Sequence, residues 1–170
     1  MSKTLMLIIF FGWALASYGQ GVEELDRRNG FKDIKMTSLV SSYEGLEYKK
    51  DIEDEVFPNS KVYVPKKGYY ENIGNIKIHE LEVMSYNDAI YRIRIITEKD
   101  PNLYKGLKKA FGEPEYALRS NKYFWGTDDL VLTYVSHSKS KIEMVYFSYV
   151  MSRRAKEDKK QVVEDIVDDF

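Results

Sequence analysis

The sequence predicts an α+β domain: a mostly antiparallel, twisted sheet with one or two helices packed on one face, and a charged helix at the C-terminus. Three observations carry this prediction. Short runs of alternating apolar and polar residues follow one another between turn signals, most clearly over 76–83 and 91–95. One well-capped amphipathic helix over 101–111 separates an earlier group of strands from a later one. Residues 151–170 are charge-rich, with apolar residues at helical spacing.

The elements follow in order. Residues 1–19 read as an address. Lys3 is a short positive start, TLMLIIFFGWALA is an apolar run too short to span a bilayer comfortably, and small residues follow, as a signal peptide requires. Cleavage fits after Ala16 or after Gly19, and Gly19 suits the end of the apolar run better. Residues 20–30 are polar and Gly-flanked and read as a flexible lead-in to a single domain over 31–150. FKDIKM (31–36) reads as a short strand. Thr37 or Ser38 can cap a turn or two of helix that Gly45 stops. A weak strand over 46–50, an acidic loop DIEDE over 51–55 and a strand over 61–65 come next.

The 76–97 segment predicts a hairpin. Ile76 and Ile78 alternate in one phase and Leu81 and Val83 in the other, which a β-bulge at His79–Glu80 explains. A tight loop at 86–88 sets Val83 opposite Tyr91, Leu81 opposite Ile93 and Ile78 opposite Ile95. The other face then pairs Glu82 with Arg92 and Glu80 with Arg94. Asp100 caps the following helix, Pro101 takes its first position and Gly112 ends it, with Leu103, Leu107, Ala110 and Phe111 on one stripe. Strands are expected over 122–125, 130–136 and 141–150, the last apolar on both faces and therefore central. In the final helix Val163, Ile166, Val167 and Phe170 form an apolar stripe over the second half only. The first half is expected to be solvated and mobile. Arginines at its start and aspartates at its end oppose the helix dipole. Each half of the chain reads helix, glycine, then about four strands, a pattern that two pseudo-repeated halves forming one continuous sheet would give and that chance in an α+β chain would give as well.

Composition narrows function. The balance of 26 Lys+Arg against 27 Asp+Glu argues against an electrostatic nucleic-acid binder, so no nucleic-acid partner is expected. The absence of cysteine excludes disulfides, thiolate metal sites, a cysteine nucleophile and a lipoprotein anchor. An exported chain of this size without cysteine suits a Gram-negative periplasm or the bacterial exterior, with no stable membrane insertion once the leader is removed.

GFKDIKMTSLVSSYEGLEY, IYRIRIIT, LKKAFGEPEY, FWGTDDLVLTYV and KIEMVYFSYV together resemble a family of small exported bacterial proteins of uncharacterised function. The shared pattern is a Gly-Phe start, a helix leaving through aromatic-Gly-x-Pro (here Phe111-Gly112-Glu113-Pro114), a strand bearing tryptophan (Trp125) and a charged C-terminal helix. It covers most of residues 30–170 and implies no catalytic residues. The segment Phe31-x-x-Ile34-x-Met36-Thr37 is also similar to the repeats of β-lactamase-inhibitor-like proteins.

Candidate site residues are few. His79 and Glu80 could be aimed together by the bulge, or could serve register alone. His137 lies in a Ser-rich turn. DIEDE lacks the glycine and spacing of a Ca²⁺ loop, so no metal or cofactor is expected. No Gly-x-Ser-x-Gly, Gly-x-Gly-x-x-Gly or phosphate loop is present. Tyrosine is the compositional oddity, at 14 residues. Tyr69, Tyr70, Tyr86 and Tyr123, with Tyr116, fall near loops or strand ends, where a rigid apolar ring with a polar tip suits recognition. The sequence therefore points to an exported, non-catalytic binding protein whose partner is a protein or envelope component. An inhibitor or immunity-type protein, and a small carboxylate-dependent hydrolase, are the alternatives.

Overall fold

The computed structural model describes residues 20–168. The expected signal peptide and Phe170 of the tail stripe lie outside the described residues. Those described form an α+β fold of three α-helices and eleven strands.

Residues expected as a flexible lead-in are instead helix α1, Gln20–Arg28. Its sequence favours this: Glu24 accepts from Arg27 and Arg28, one turn on, and Leu25 is completely buried. Burying one leucine is worth ~1.5–3 kcal/mol, enough to anchor a two-turn helix that its polarity alone would leave marginal. Strands β1 (Gly30–Phe31) and β2 (Ile34–Lys35) form a tiny hairpin turning at Lys32, where φ is 54°. The expected helix after Thr37 is only a 3-10 turn, Val40–Ser42, because its cap position makes no side-chain bond.

Strands β3 (Leu46–Ile52), β4 (Ser60–Pro65), β6 (Ile76–Tyr86) and β7 (Ala89–Glu98) run as a meander, with a two-residue strand β5 (Asn72–Ile73) hooked onto β6. Helix α2 (Pro101–Phe111) follows, capped as its sequence predicts: Asp100 accepts from the Asn102 N–H at 2.7 Å and Gly112 exits at φ 81°. Strands β8 (Glu115–Ala117), β9 (Lys122–Gly126), β10 (Leu130–Ser136) and β11 (Lys141–Ser148) form the second meander. Helix α3 (Tyr149–Asp168) leaves β11 without a loop.

The two meanders join through their last strands. The order β3-β4-β6-β7-β11-β10-β9-β8 reads the same from either edge, and every pairing is antiparallel. Register repeats too. The row Tyr48, Tyr63, Val83, Ile93 is matched by Tyr116, Tyr123, Tyr134, Met144 across a pseudo-two-fold axis at the β7–β11 seam. Of the two readings of that pattern, the pair of halves is the one present, as topology and as register.

The β6–β7 hairpin has the bulge at His79, but its turn is tighter than expected. Asn87 and Asp88, with φ of 49° and 61°, make a two-residue connection, and Tyr91 forms a second bulge. Val83 thus faces Ile93, Leu81 faces Ile95 and Ile78 faces Thr97. The net slip is two residues, so Ile93 and Ile95 keep the predicted face. Tyr91 does not: its bulge sends it to the opposite one. Arg94, not Arg92, now lies opposite Glu82.

The main core lies between the sheet and α1, the 3-10 turn and α2. Leu25, Val40, Leu103 and Phe111 pack there on Ile93, Ile95, Leu132 and Met144. On the other face a small cluster of Phe57, Tyr86, Ala89, Tyr91, Met151 and Ala155 seats α3. The tail helix thus docks by its first half, against expectation. It leaves β11 directly, so its first turns are held over the sheet, and Ala155 is small enough for close approach. Met151 and Ala155 are 1% and 0% exposed, whereas Val163 and Ile166 are 61% and 53% exposed.

Candidate functional site

A cleft of about 610 Å³ opens on the helix-bearing face, between α1, the β1–β2 hairpin, the β5–β6 turn and α2. Its volume falls within the ~300–1,000 Å³ of small-molecule sites. Buried side chains of Phe31, Ile76, Leu103, Phe111, Met144 and Tyr146 form the floor. Gly106 leaves one wall open: a Cβ there would meet nothing within 4 Å. Leu107 and Ala110, expected in the core, line the cleft half-exposed.

Few polar groups converge on it. Arg28 and Lys32 stand at the rim. Arg28 is bound to Glu24 at 2.5 Å and lies 5.7 Å from the Phe111 ring centroid. The Lys32 ammonium lies 5.7 Å from the Phe31 centroid and 6.0 Å from that of Tyr70, and it makes no ion pair among the described residues. Burial pushes the Tyr146 phenol far up from its ordinary value of 10.0, with Arg28 pulling slightly the other way, so the hydroxyl on the floor stays protonated. None of the lining residues is Asp, Glu or His.

The residues singled out from sequence lie elsewhere. Tyr69, Tyr70, His79 and Glu80 line a more polar hollow of about 530 Å³ beside the cleft. Tyr70 donates to Asp33 at 3.1 Å, and burial with this bond raises its pKa to about 12. His79 and Glu80 do not converge on one centre: His79 lies 3.8 Å from Glu98, and Glu80 binds Arg94 at 3.2 Å. His137 lies 3.8 Å from Glu143. Tyr86 is buried under α3, donating to Asp158 at 3.0 Å. The Tyr123 ring is tilted against those of Tyr116 and Tyr104, with centroids 4.8 and 5.1 Å away, a tyrosine cluster over Trp125 at the far edge of the sheet. Within DIEDE, Asp54 caps the following turn by accepting from the Val56 and Phe57 N–H groups. Among the described residues no group of three or more His, Cys, Asp or Glu could hold a metal ion, and no helix is long and apolar enough to cross a membrane.

Sequence reasoning missed the cleft. Its one local signal was Gly106, a glycine at the edge of the apolar stripe of an otherwise good helix, where it costs stability unless the missing side chain is useful. Comparison with protein-family models, curated proteins and solved structures finds no match for this chain.

Proposed function

We propose that this chain is an exported, non-catalytic binding protein of the bacterial envelope, and that its site is the cleft between α1 and α2. The observation that carries the reading is the lining: an apolar floor, one phenolic hydroxyl, the amides of Asn75 and Asn102 and a basic rim, with no carboxylate or imidazole to move a proton. That chemistry suits a ligand with an apolar body and an anionic head, the head against Lys32 and the body over Phe111 and Met144. The apolar run near the N-terminus supports export, and cleavage at either expected site keeps residues Gln20–Arg28 in the mature chain.

The test is titration with a fluorescent single-chain carboxylate amphiphile. Once residues 1–19 are removed, Trp125 is the sole tryptophan. It packs 6.4 Å from Phe111 and donates to the Gly112 carbonyl at 2.8 Å, so its emission reports on the cleft wall. Saturable binding that Gly106→Phe abolishes is expected, with Lys32→Ala weakening the acid more than its neutral alcohol analogue. Binding that ignores Gly106→Phe would overturn the assignment. N-terminal sequencing of the exported protein, expected to begin at Gln20, tests the leader.

A further inference from the structure

We propose that the split in the sheet between β4 and β6 is a second binding site, built for an acidic saccharide. The two strands pair only over Lys61–Tyr63 with Val83–Ser85, and β5 takes up β6 again only at Ile76 and Lys77. Pro65 opens the split. The Lys66 N–H bonds the Gly45 carbonyl on the β3 side, so alternation turns the Pro65 nitrogen toward β6, where it has no hydrogen to give. Leu81, which the register would set opposite Pro65, is left without a ladder partner on that side. The polar hollow of about 530 Å³ fills this split, and a smaller one of about 220 Å³ continues it, sharing Pro65, His79, Glu80 and Leu81.

One wall is a fixed aromatic platform. A Cβ at the buried Gly45 would stand 2.9 Å from both Cγ and Cε1 of Tyr69 and nearer still to Cδ1 between them, so the ring lies face-on against the Gly45 backbone. Tyr69 lines the hollow and remains 46% exposed, which makes its opposite face available there. Tyr70 beside it holds φ 53°, a conformation costly for an aromatic residue, and its bond to Asp33 keeps the turn in that form. A ring held this way stacks on the apolar face of a pyranose at little entropic cost. Around it, the Asn72 amide, the Glu71 carboxylate and the unpaired Leu81 backbone offer donors and acceptors for hydroxyl groups. Charge selects the acid. Lys66, Lys67 and Lys77 line the hollow and make no ion pair among the described residues, whereas Glu80 is held by Arg94, leaving Glu71 as the uncommitted carboxylate of the lining. A peptide strand is disfavoured, because Pro65 closes one side of the split to ladder pairing.

Isothermal titration of the full chain with tetragalacturonate, and with its fully methylated ester as the neutral control, tests this. The acid is expected to bind saturably and more tightly than the ester, with an affinity that falls as salt is raised. Tyr69→Ala should weaken both ligands about three- to tenfold, the loss of one stacked ring. Gly45→Ala should weaken both as well, because the added methyl displaces the ring although Gly45 does not line the hollow. Lys66→Ala/Lys67→Ala should weaken the acid several-fold and leave the ester unchanged. Tyr69, Lys66 and Lys67 are exposed, so circular dichroism and Tm should not move in these variants. Gly106→Phe, which fills the cleft, should leave saccharide binding intact, so failure at one site is distinguishable from failure at the other. No saturable binding of the acid, equal affinity for acid and ester, or binding that ignores Tyr69→Ala would each overturn the proposal. Hexaglutamate bound as tightly as the saccharide would overturn it by making the site one for acidic peptides. Saccharide binding lost in Gly106→Phe would overturn it too, by moving the ligand to the cleft.

Discussion

Arg94 joins Glu143 across the seam between the two halves of the sheet, its Nε donating to the carboxylate at 2.7 Å. The same guanidinium reaches Glu80 at 3.2 Å and Glu82 at 3.4 Å, so one cation serves three carboxylates from the two strands that flank β7. Burial alone would push the Glu82 carboxyl up, but the Lys49 ammonium bonded to it at 2.9 Å and the charge of Arg94 outweigh that. Its pKa therefore falls below the ordinary 4.5.

Replacing Arg94 by Met should therefore cost about 1–3 kcal/mol at neutral pH, because three clustered carboxylates lose their shared donor. The pH dependence has a definite sign. A carboxyl whose folded pKa is depressed stabilises the fold above its unfolded value, and that contribution is lost as pH falls through the folded value. The gap between wild type and Arg94→Met should thus narrow as pH drops below 4.5. Urea denaturation at a series of pH values checks this, and a gap that widens on acidification contradicts it.

Gly106→Ala should stabilise the protein. The site is helical, exposed on the cleft wall and free of any neighbour within 4 Å of the added Cβ. Glycine costs a helix ~0.5–1 kcal/mol relative to alanine. A Tm higher by a few degrees is expected, with amphiphile affinity lowered only modestly, since a methyl narrows the cleft without filling it. A lowered Tm would mean that the wall is closed.

Tyr70 should titrate late. Burial raises its phenol first, and the hydrogen bond to Asp33 adds to this, bringing it to about 12. For an acid whose folded pKa is raised, stability is fully present below the unfolded value of 10.0 and is lost as pH rises through the folded one. Asp33→Asn should lower the Tyr70 titration, read from its ring NMR resonance as assigned by Tyr70→Phe. An unmoved midpoint would remove Asp33 as a cause.

What was legible in the sequence followed from local chemistry. The Asp100–Pro101–Gly112 signals marked α2, alternation marked β6 and β7, with the His79 bulge written as a phase slip, and turn residues on either side marked β10 and the apolar run of β11. The second bulge was hidden because Tyr91 alternates in phase with Ile93 and Ile95, and only the tight Asn87–Asp88 turn displaces it. Helix α1 was hidden because its stability rests on one buried leucine and on ion pairs within a polar string. The reversed docking of α3 was hidden because aliphatic content pointed to its second half, while its path off β11 places Met151 and Ala155 over the sheet. The cleft was hidden because it is assembled from four separate stretches of chain, and no single one of them reads as a site.

Gly21→Ala should do the reverse of Gly106→Ala. A Cβ at Gly21 would stand 2.5 Å from the Phe111 carbonyl oxygen, 2.6 Å from its carbon and 2.7 Å from the Gly112 nitrogen. All three are backbone atoms at the end of α2, held in place by the Trp125 bond to the Gly112 carbonyl. They cannot step aside, so α1 must lift away, loosening Leu25 in the core and shifting Arg28 at the cleft rim. Forced repacking of this kind costs about 1–3 kcal/mol. The expected result is a lower Tm together with weaker amphiphile binding, although Gly21 itself does not line the cleft. The two glycine-to-alanine changes, one in each helix, thus differ in sign because one meets open space and the other meets backbone. Loss of stability with binding unchanged would show that α1 does not position the rim.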